Sequence, residues 1–554
     1  MLFANCATKL NSSCWLLSFM VFNMLASCKF REKVPLLVHH ATIYTIDEKF
    51  STAEAMAISD GKILEVGSND DMLKKYEGEQ MLDAGGKAIF PGFIDAHCHF
   101  TGYATDRWKC DLVGTPSWEA VVSKMQEYSK TAPMEWIYGR GWDQNDWELK
   151  EYPNTKILDS LFPNRPVYLK RVDGHAAIAN STALKLAGIT AATRIAGGSI
   201  ALQNGQPSGL LIDNAMQLVE AKIPMISDSL SQQYFLEMQG ECFAEGLTGV
   251  HDCGVSENTI ALIEAAHKKG VLKMKIFALL RDDSSYYDRW VKKGRYSTGK
   301  LTVGGFKLYA DGALGSRGAC LLQDYSDKKG WKGFLLSDSA YFMDKAQKLA
   351  ASNLQMCTHA IGDSGNRQLL NIYAAVLKGK NDRRWRIEHA QIVNEKDFNF
   401  FGDYSIIPSV QPTHATSDMY WAAERVGSER MKGAYAYKRL LEANGWMPLG
   451  TDFPVEYISP FKTFYAAVFR KDAKNFPAGG FQPDNALSRE QTLRGMTIWA
   501  AKAAFEEKEK GSLEKGKAAD FIMLDNDLVT CKEQVILQTK VLYTYINGEK
   551  VYGK

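Results

Sequence analysis

His97 and His99 stand two residues apart in "FIDAHCHF", at the end of an apolar run in a chain with only 10 histidines among 554 residues. In an extended strand, residues two apart project to the same side, so both imidazoles leave the strand end together. Paired imidazoles of this kind suit a divalent metal ion. The pair alone decides little, because this many histidines placed at random would give a His-x-His about 0.2 times per chain. Further candidates close similar runs: His359 in "LQMCTHAIGD", His389 in "RWRIEHAQ" and Asp452 in "GWMPLGTDFP", with Lys307 inside "LTVGGFKLYADG". Imidazole nitrogen and carboxylate oxygen are suitable donors for Zn²⁺ or a similar ion, whereas an ammonium repels a cation, so Lys307 needs its own account.

These residues need elements that bring them together. The middle of the chain holds eight short apolar runs, the remaining ones being "AIFPGFIDAHCH", "GLTGVHDCG", "KMKIFALLR" and "YSIIPSVQPTH". Segments with apolar spacing near 3.6, such as 258–269 and 340–352, lie between most of them. Eight β/α units with polar residues at the strand ends describe an α/β protein of the TIM-barrel type, whose chemistry sits at the carboxyl ends of the strands. The barrel is expected over 88–505, interrupted after its first strand by an inserted subdomain at 101–246. Strand-like segments at 36–87 and 506–554 suggest that both termini meet in one small β-sandwich domain.

The order His-x-His, strand lysine, two single histidines and a final aspartate resembles the amidohydrolase superfamily. "GWDQNDW", "VDGHAAIANSTAL", "GFKLYADGALGSR", "RIEHAQ" and "GTDFPVE" are similar to the amidohydrolase-3 branch, which includes YtcJ-like proteins and N-substituted formamide deformylases. The resemblance runs from residue 36 to the end of the chain. It implies a divalent metal, zinc in one or two copies, on His97, His99, Lys307, His359, His389 and Asp452, with Lys307 carboxylated where the lysine bridges two ions. It also implies hydrolysis of a non-peptide C–N bond in an N-acyl or N-formyl amine, by water that the metal activates. Asp452 is then the general base and acid, and His175 helps to polarise the carbonyl. An esterase on the same scaffold, or a non-catalytic surface-binding lipoprotein, is the competing expectation; six filled ligand positions argue against the second.

Other residues carry open alternatives. His175 in "VDGHAA" either touches substrate or bonds to backbone, and His414 in "QPTH" stands where it would line the site. His251 in "GVHD" reads as supporting a ligand rather than being one. Asp311 and Arg317 either bind substrate or form local salt bridges, and Trp142 and Trp147 either form an apolar wall for substrate or pack inside the insertion.

With 66 basic against 64 acidic residues and no long block of one sign, nothing points to a nucleic-acid partner. A small-molecule substrate is expected, and homo-oligomers are left open. At the start, Lys9 is the only charge before an apolar centre of about 11 residues, too short to span a bilayer and suited to a secretory leader. "LASC", ending at Cys28, resembles the lipobox of bacterial lipoproteins. The expectation is a leader over 1–28, cleavage before Cys28, lipidation of its thiol, and a membrane-anchored protein on the periplasmic or cell-surface side. Seven cysteines lie beyond the leader, an odd number without Cys-x-x-Cys, and read as buried free thiols. Metabolic labelling with a radioactive fatty acid tests the leader: Cys28→Ala abolishes incorporation, and unchanged labelling refutes the assignment.

Overall fold

The computed structural model describes residues 31–132 and 134–553. The leader, with its lipobox and Cys28, lies outside them. Seven parallel strands form the barrel wall: β1 (Phe93–Cys98), β2 (Leu247–Val255), β3 (Lys275–Arg281), β4 (Leu301–Tyr309), β5 (Gln355–Ala360), β6 (Arg386–His389) and β7 (Ile407–Ser409), each hydrogen-bonded to the next. Strands covered on both faces read as continuous apolar runs, which is why they were legible as such. Four of them, β1, β5, β6 and β7, are buried at every position.

The eighth run closes the barrel without forming a regular strand. Leu449 bridges Val410 in parallel, and Gly450 N–H donates to Val410 O at 3.1 Å. On its other side Ala96 N–H donates to Leu449 O at 3.1 Å and Asp452 N–H to His97 O at 2.8 Å. The approach to β1 is close enough that a Cβ on Gly450 would lie 2.5 Å from His97 N. Regular pairing stops because Asp452 adopts φ 63°, a left-handed conformation that an extended ladder cannot contain.

Helices cover the outside. Asp228–Ala244, Glu257–Lys268 and Ser339–Ala350 begin where the side chains of Ser227, Ser256 and Asp338 accept a free N–H of the first turn. The first of these buries Phe235, Met238, Cys242 and Phe243 in the barrel core, although it falls within the stretch read as insertion. The insertion proper builds a six-stranded sheet between Cys110 and Asp213 over the barrel mouth.

The ends of the chain form two further sheets. One has four strands, all between Glu32 and Asp83; the other joins Thr42–Tyr44, Thr52–Ala53 and Ala88–Pro91 to Phe521–Leu524, Val541–Ile546 and Glu549–Tyr552. Their inner faces share one core, with Leu36, Val38 and Ile58 from the first sheet against Ile89, Phe521 and Tyr545 from the second. All seven described cysteines are free, and five are buried.

Lys275 at the start of β3 ties this sandwich to the barrel. Its Nζ donates to Asp520 Oδ2 at 2.6 Å and to Asn547 Oδ1 at 2.8 Å, and both Lys275 and Asp520 are buried. Asp520→Ala leaves the ammonium buried and unpaired, so stability falls by about 3–5 kcal/mol in urea unfolding, and replacing both partners with apolar residues recovers most of the loss.

Candidate metal centre

His97 and His99 leave the end of β1, and their tautomers are fixed from behind. His97 Nδ1 donates to the buried Glu388 Oε2 at 2.5 Å, and His99 Nδ1 donates to the Cys253 carbonyl at 2.9 Å. A carboxylate and a carbonyl can only accept, so each neutral ring keeps its proton on Nδ1 and presents an Nε2 lone pair. Both lone pairs meet Asp452: Nε2 of His97 lies 3.6 Å and Nε2 of His99 3.2 Å from its Oδ1. That oxygen is buried and has no hydrogen-bond partner. Lone pairs facing a carboxylate repel it unless a cation sits among them; the Lys307 ammonium reaches His97 Nε2 at 3.0 Å but leaves Asp452 Oδ1 without a partner, so this donor set fits a divalent metal.

His389, at the end of β6, completes the cluster; ligand atoms of His97, His389 and Asp452 lie within 4.8 Å of one another. His389 Nδ1 donates to Gln411 Oε1 at 2.6 Å, and that amide is oriented by its own donation from Nε2 to Ser409 O at 3.2 Å. Both His389, at φ 74°, and Asp452, at φ 63°, occupy left-handed backbone conformations. Such positions cost on the order of 1–3 kcal/mol each and concentrate at functional sites.

Lys307, fully buried on β4, places Nζ 3.0 Å from His97 Nε2. It does not pair with Asp311. His359 ends β5 with its ring 4.6 Å from that of His389, and its Nε2 lies 3.5 Å from Gly312 O. His414 stacks on His389 at 5.6 Å and sets Nε2 3.5 Å from Asp452 Oδ2. His175 comes from the insertion, its ring 4.9 Å from that of His359 and its Nδ1 2.6 Å from Asp213 Oδ1. Around these residues is a cavity of about 890 Å³, between barrel mouth and insertion, lined by His99, His175, Lys307, His359, His389 and Asp452 among others.

Electrostatics keep the donors ready. Burial, with the nearby Lys307 charge, pushes His97 down to about 4. Burial also holds His359 and His389 well below the ordinary histidine range, so all three rings are neutral near pH 7. For Asp452 burial acts the other way but is outweighed by the surrounding imidazoles, His414 and His99 foremost, whose proximity keeps its carboxyl well below the usual range. Burial likewise opposes the Glu388 charge, yet His97 and Arg386 bring its pKa down to about 2.

Other expected site residues are placed elsewhere. Asp311 spends its buried carboxylate on the N–H groups of Cys320, Ile361 and Gly362, at 2.8, 3.0 and 2.8 Å, and so braces the loops after β4 and β5. Arg317 pairs with Asp327 at 2.8 Å. The structure does not bring Trp142 and Trp147 to the cavity. Both are buried in the core of the insertion, donating to Leu169 O and Thr115 O at 2.8 and 2.9 Å. The aromatic surface facing the cavity comes instead from Tyr103, Tyr138, Tyr309, Tyr341, Trp421 and Tyr457. His251 accepts from Arg386 Nη1 at 3.1 Å, and that arginine approaches Glu388 Oε1 to 3.9 Å, which places His251 behind the residue that orients His97.

Converging neutral imidazoles and a buried carboxylate at the carboxyl end of a parallel barrel define a metal-dependent hydrolase. The chain belongs to the amidohydrolase family, whose model (Amidohydro_3) matches residues 80–552. It is 34% identical to LONG AFTER FAR-RED 3 of Arabidopsis thaliana, over 93% of this chain and 91% of that protein. It is also 27% identical to the N-substituted formamide deformylase of Arthrobacter pascens, over 94% of this chain and 98% of that one. Among solved structures, an uncharacterized metal-dependent hydrolase from Pyrococcus horikoshii OT3 superposes with a TM-score of 0.73 at 26% identity, covering 90% of this chain and 99% of that chain.

Glu388 and Gln411, which orient His97 and His389, do not stand out in the sequence. The only local signal was "RIEH", in which a carboxylate precedes a ligand on a buried strand. Glu388→Gln keeps an acceptor oxygen for His97 but removes the negative charge that raises the basicity of its ring, so metal affinity falls about 10- to 100-fold in a competitive chelator titration while the fold persists.

Proposed function

We propose that this protein hydrolyses the C–N bond of an N-acyl or N-formyl amine. The observation that supports this most directly is the pair of Nε2 lone pairs set against the unpartnered Oδ1 of Asp452, at the base of a cavity large enough for a small organic substrate. The name of the Arthrobacter relative supports an N-formyl amine as the starting point for a substrate search. Zn²⁺ suits the nitrogen and oxygen donors of His97, His99, His359, His389 and Asp452, with Lys307 contributing as a carbamate if carboxylated. When bound, such an ion supplies Lewis-acid activation of water and of the scissile carbonyl.

The chain's own groups divide the remaining work. Asp452 takes the proton of the attacking water and returns it to the departing nitrogen, since an amine leaves readily only once protonated. His414 lies beside its other oxygen and keeps the carboxylate oriented; burial opposes a charge on that ring, but Asp452 outweighs it and raises His414 to about 9. His175 reaches the cavity from the opposite side and, as the imidazolium with Nδ1 held by Asp213, is placed to donate from Nε2 to the carbonyl oxygen as negative charge gathers there. The insertion covers the barrel mouth and limits access of bulk water to the reacting atoms. We extend the proposal to location: from its leader sequence, the protein works outside the cytoplasm, tethered through Cys28.

Asp452→Asn keeps the size and one oxygen donor but removes the base. In the metal-loaded enzyme kcat on an N-formyl amine falls about 10²- to 10⁴-fold, and added substrate does not restore it. Near-normal kcat at full metal content assigns the proton to another group. A matched series of amides and esters with identical acyl and leaving groups tests the bond, and turnover of esters alone refutes the amide reading.

A further inference from the structure

We infer that Asp213 is the positioning residue for His175, and that Gly312 and Gly318 of "DGALGSRG" are small in order to seat its carboxylate. The inference rests on the hydrolytic reading above for the role of His175, but the arrangement itself stands on geometry. In the insertion, Ala176 pairs antiparallel with Ile212, which makes His175 and Asp213 the next cross-strand neighbours. Two contacts join them: Asp213 N–H donates to His175 O at 3.0 Å, and His175 Nδ1 donates to Asp213 Oδ1 at 2.6 Å. Register thus brings together two residues 38 positions apart. With Nδ1 held, the ring has one free nitrogen, Nε2, and His175 lines the cavity beside His359.

Three features separate this from an incidental surface pair. The Asp213 side chain is wholly buried, and its Oδ2 has no hydrogen-bond partner. Its backbone takes φ 51° and ψ −124°, a conformation that residues other than glycine rarely adopt. The barrel is cut to fit it, since a Cβ on either Gly312 or Gly318 would lie 2.4 Å from Asp213 Oδ2. Neither glycine has a positive φ, so the requirement is for space and not for backbone freedom. The carbonyl of Gly312 in turn lies 3.5 Å from His359 Nε2. The insertion therefore docks on the barrel through a carboxylate whose single side-chain partner is His175, next to the ligand loop. A group serving only to hold the insertion down would have no reason to spend its one hydrogen bond on a cavity-facing imidazole. Positioning a catalytic imidazole by a buried carboxylate is an established use of such a pair.

A double-mutant cycle in the full-length, metal-loaded enzyme tests the inference. With an N-formyl amine that the enzyme turns over, His175→Ala lowers kcat about 10²- to 10³-fold, as loss of one oxyanion donor does. Asp213→Ala lowers kcat by at least about 10-fold with KM and metal content maintained, and the double variant is no slower than His175→Ala, because the two act as one unit. Wild-type kcat in Asp213→Ala, or multiplied losses in the double variant, overturns the proposal. If the alanine variant fails to fold, Asp213→Asn, which keeps size and one acceptor oxygen, takes its place in the same cycle. A measurement independent of turnover uses proton NMR of the metal-loaded protein. A strongly deshielded imidazole proton is expected in the wild type and absent from both His175→Ala and Asp213→Asn; its persistence in the second refutes the pairing. If wild-type enzyme hydrolyses no amide, the functional reading fails while the NMR comparison still decides the His175–Asp213 arrangement.

Discussion

Three imidazoles in this protein hand their Nδ1 protons to acceptors that fix them in place: Glu388 behind His97, the Cys253 carbonyl behind His99, and the Gln411 amide behind His389. Nearly everything else in the centre follows from that constraint. Each ring is left with its lone pair on Nε2, and two of those lone pairs face an unpartnered oxygen of Asp452. A site with this electronic shape is unfavourable when empty of positive charge, and burial deepens the penalty because it removes the water that would otherwise solvate the groups. The fold holds the arrangement because Glu388 and Cys253 lie on barrel strands and Gln411 follows the end of β7 by two residues.

Barrel closure is the mechanical side of the same constraint. The segment carrying Asp452 is not a full strand, yet it is bonded to Val410 on one side and to Ala96 and His97 on the other. Asp452 is therefore set directly against the first histidine pair by the hydrogen bonds that seal the barrel. The positive φ at Asp452 and at His389 turns both side chains at the strand ends, a local strain that the closed wall can sustain. The insertion adds a second wall, bringing His175 from a separate sheet to face the residues of the barrel mouth.

The architecture and the potential ligands were legible because they follow simple periodicities. Buried parallel strands appear as apolar runs, and a polar residue ending such a run stands out. The supporting residues were not legible for an equally physical reason. His97 and Glu388 are 291 positions apart, and His175 and Asp213 are 38 apart, so only strand register reveals their pairing. For Asp311 and the tryptophans the sequence leaves two readings open, and the structure favours the local one. A carboxylate near the lysine and aromatics in a motif look like substrate contacts, yet Asp311 is consumed by three backbone N–H groups, and Trp142 and Trp147 fill the core of the insertion. Sequence gives residue type and spacing, but whether a side chain faces a cavity or a core depends on which sheet covers it.

The central claim is that the converging lone pairs exist to hold a catalytic cation. The most direct measurement strips the purified protein with a chelator, returns Zn²⁺ in increments, and follows bound metal and hydrolysis of an N-formyl amine together. The account predicts that the stripped protein is inactive and that activity rises with metal bound until the site is filled. Stripped protein that retains full activity, or that takes up no metal, would contradict it.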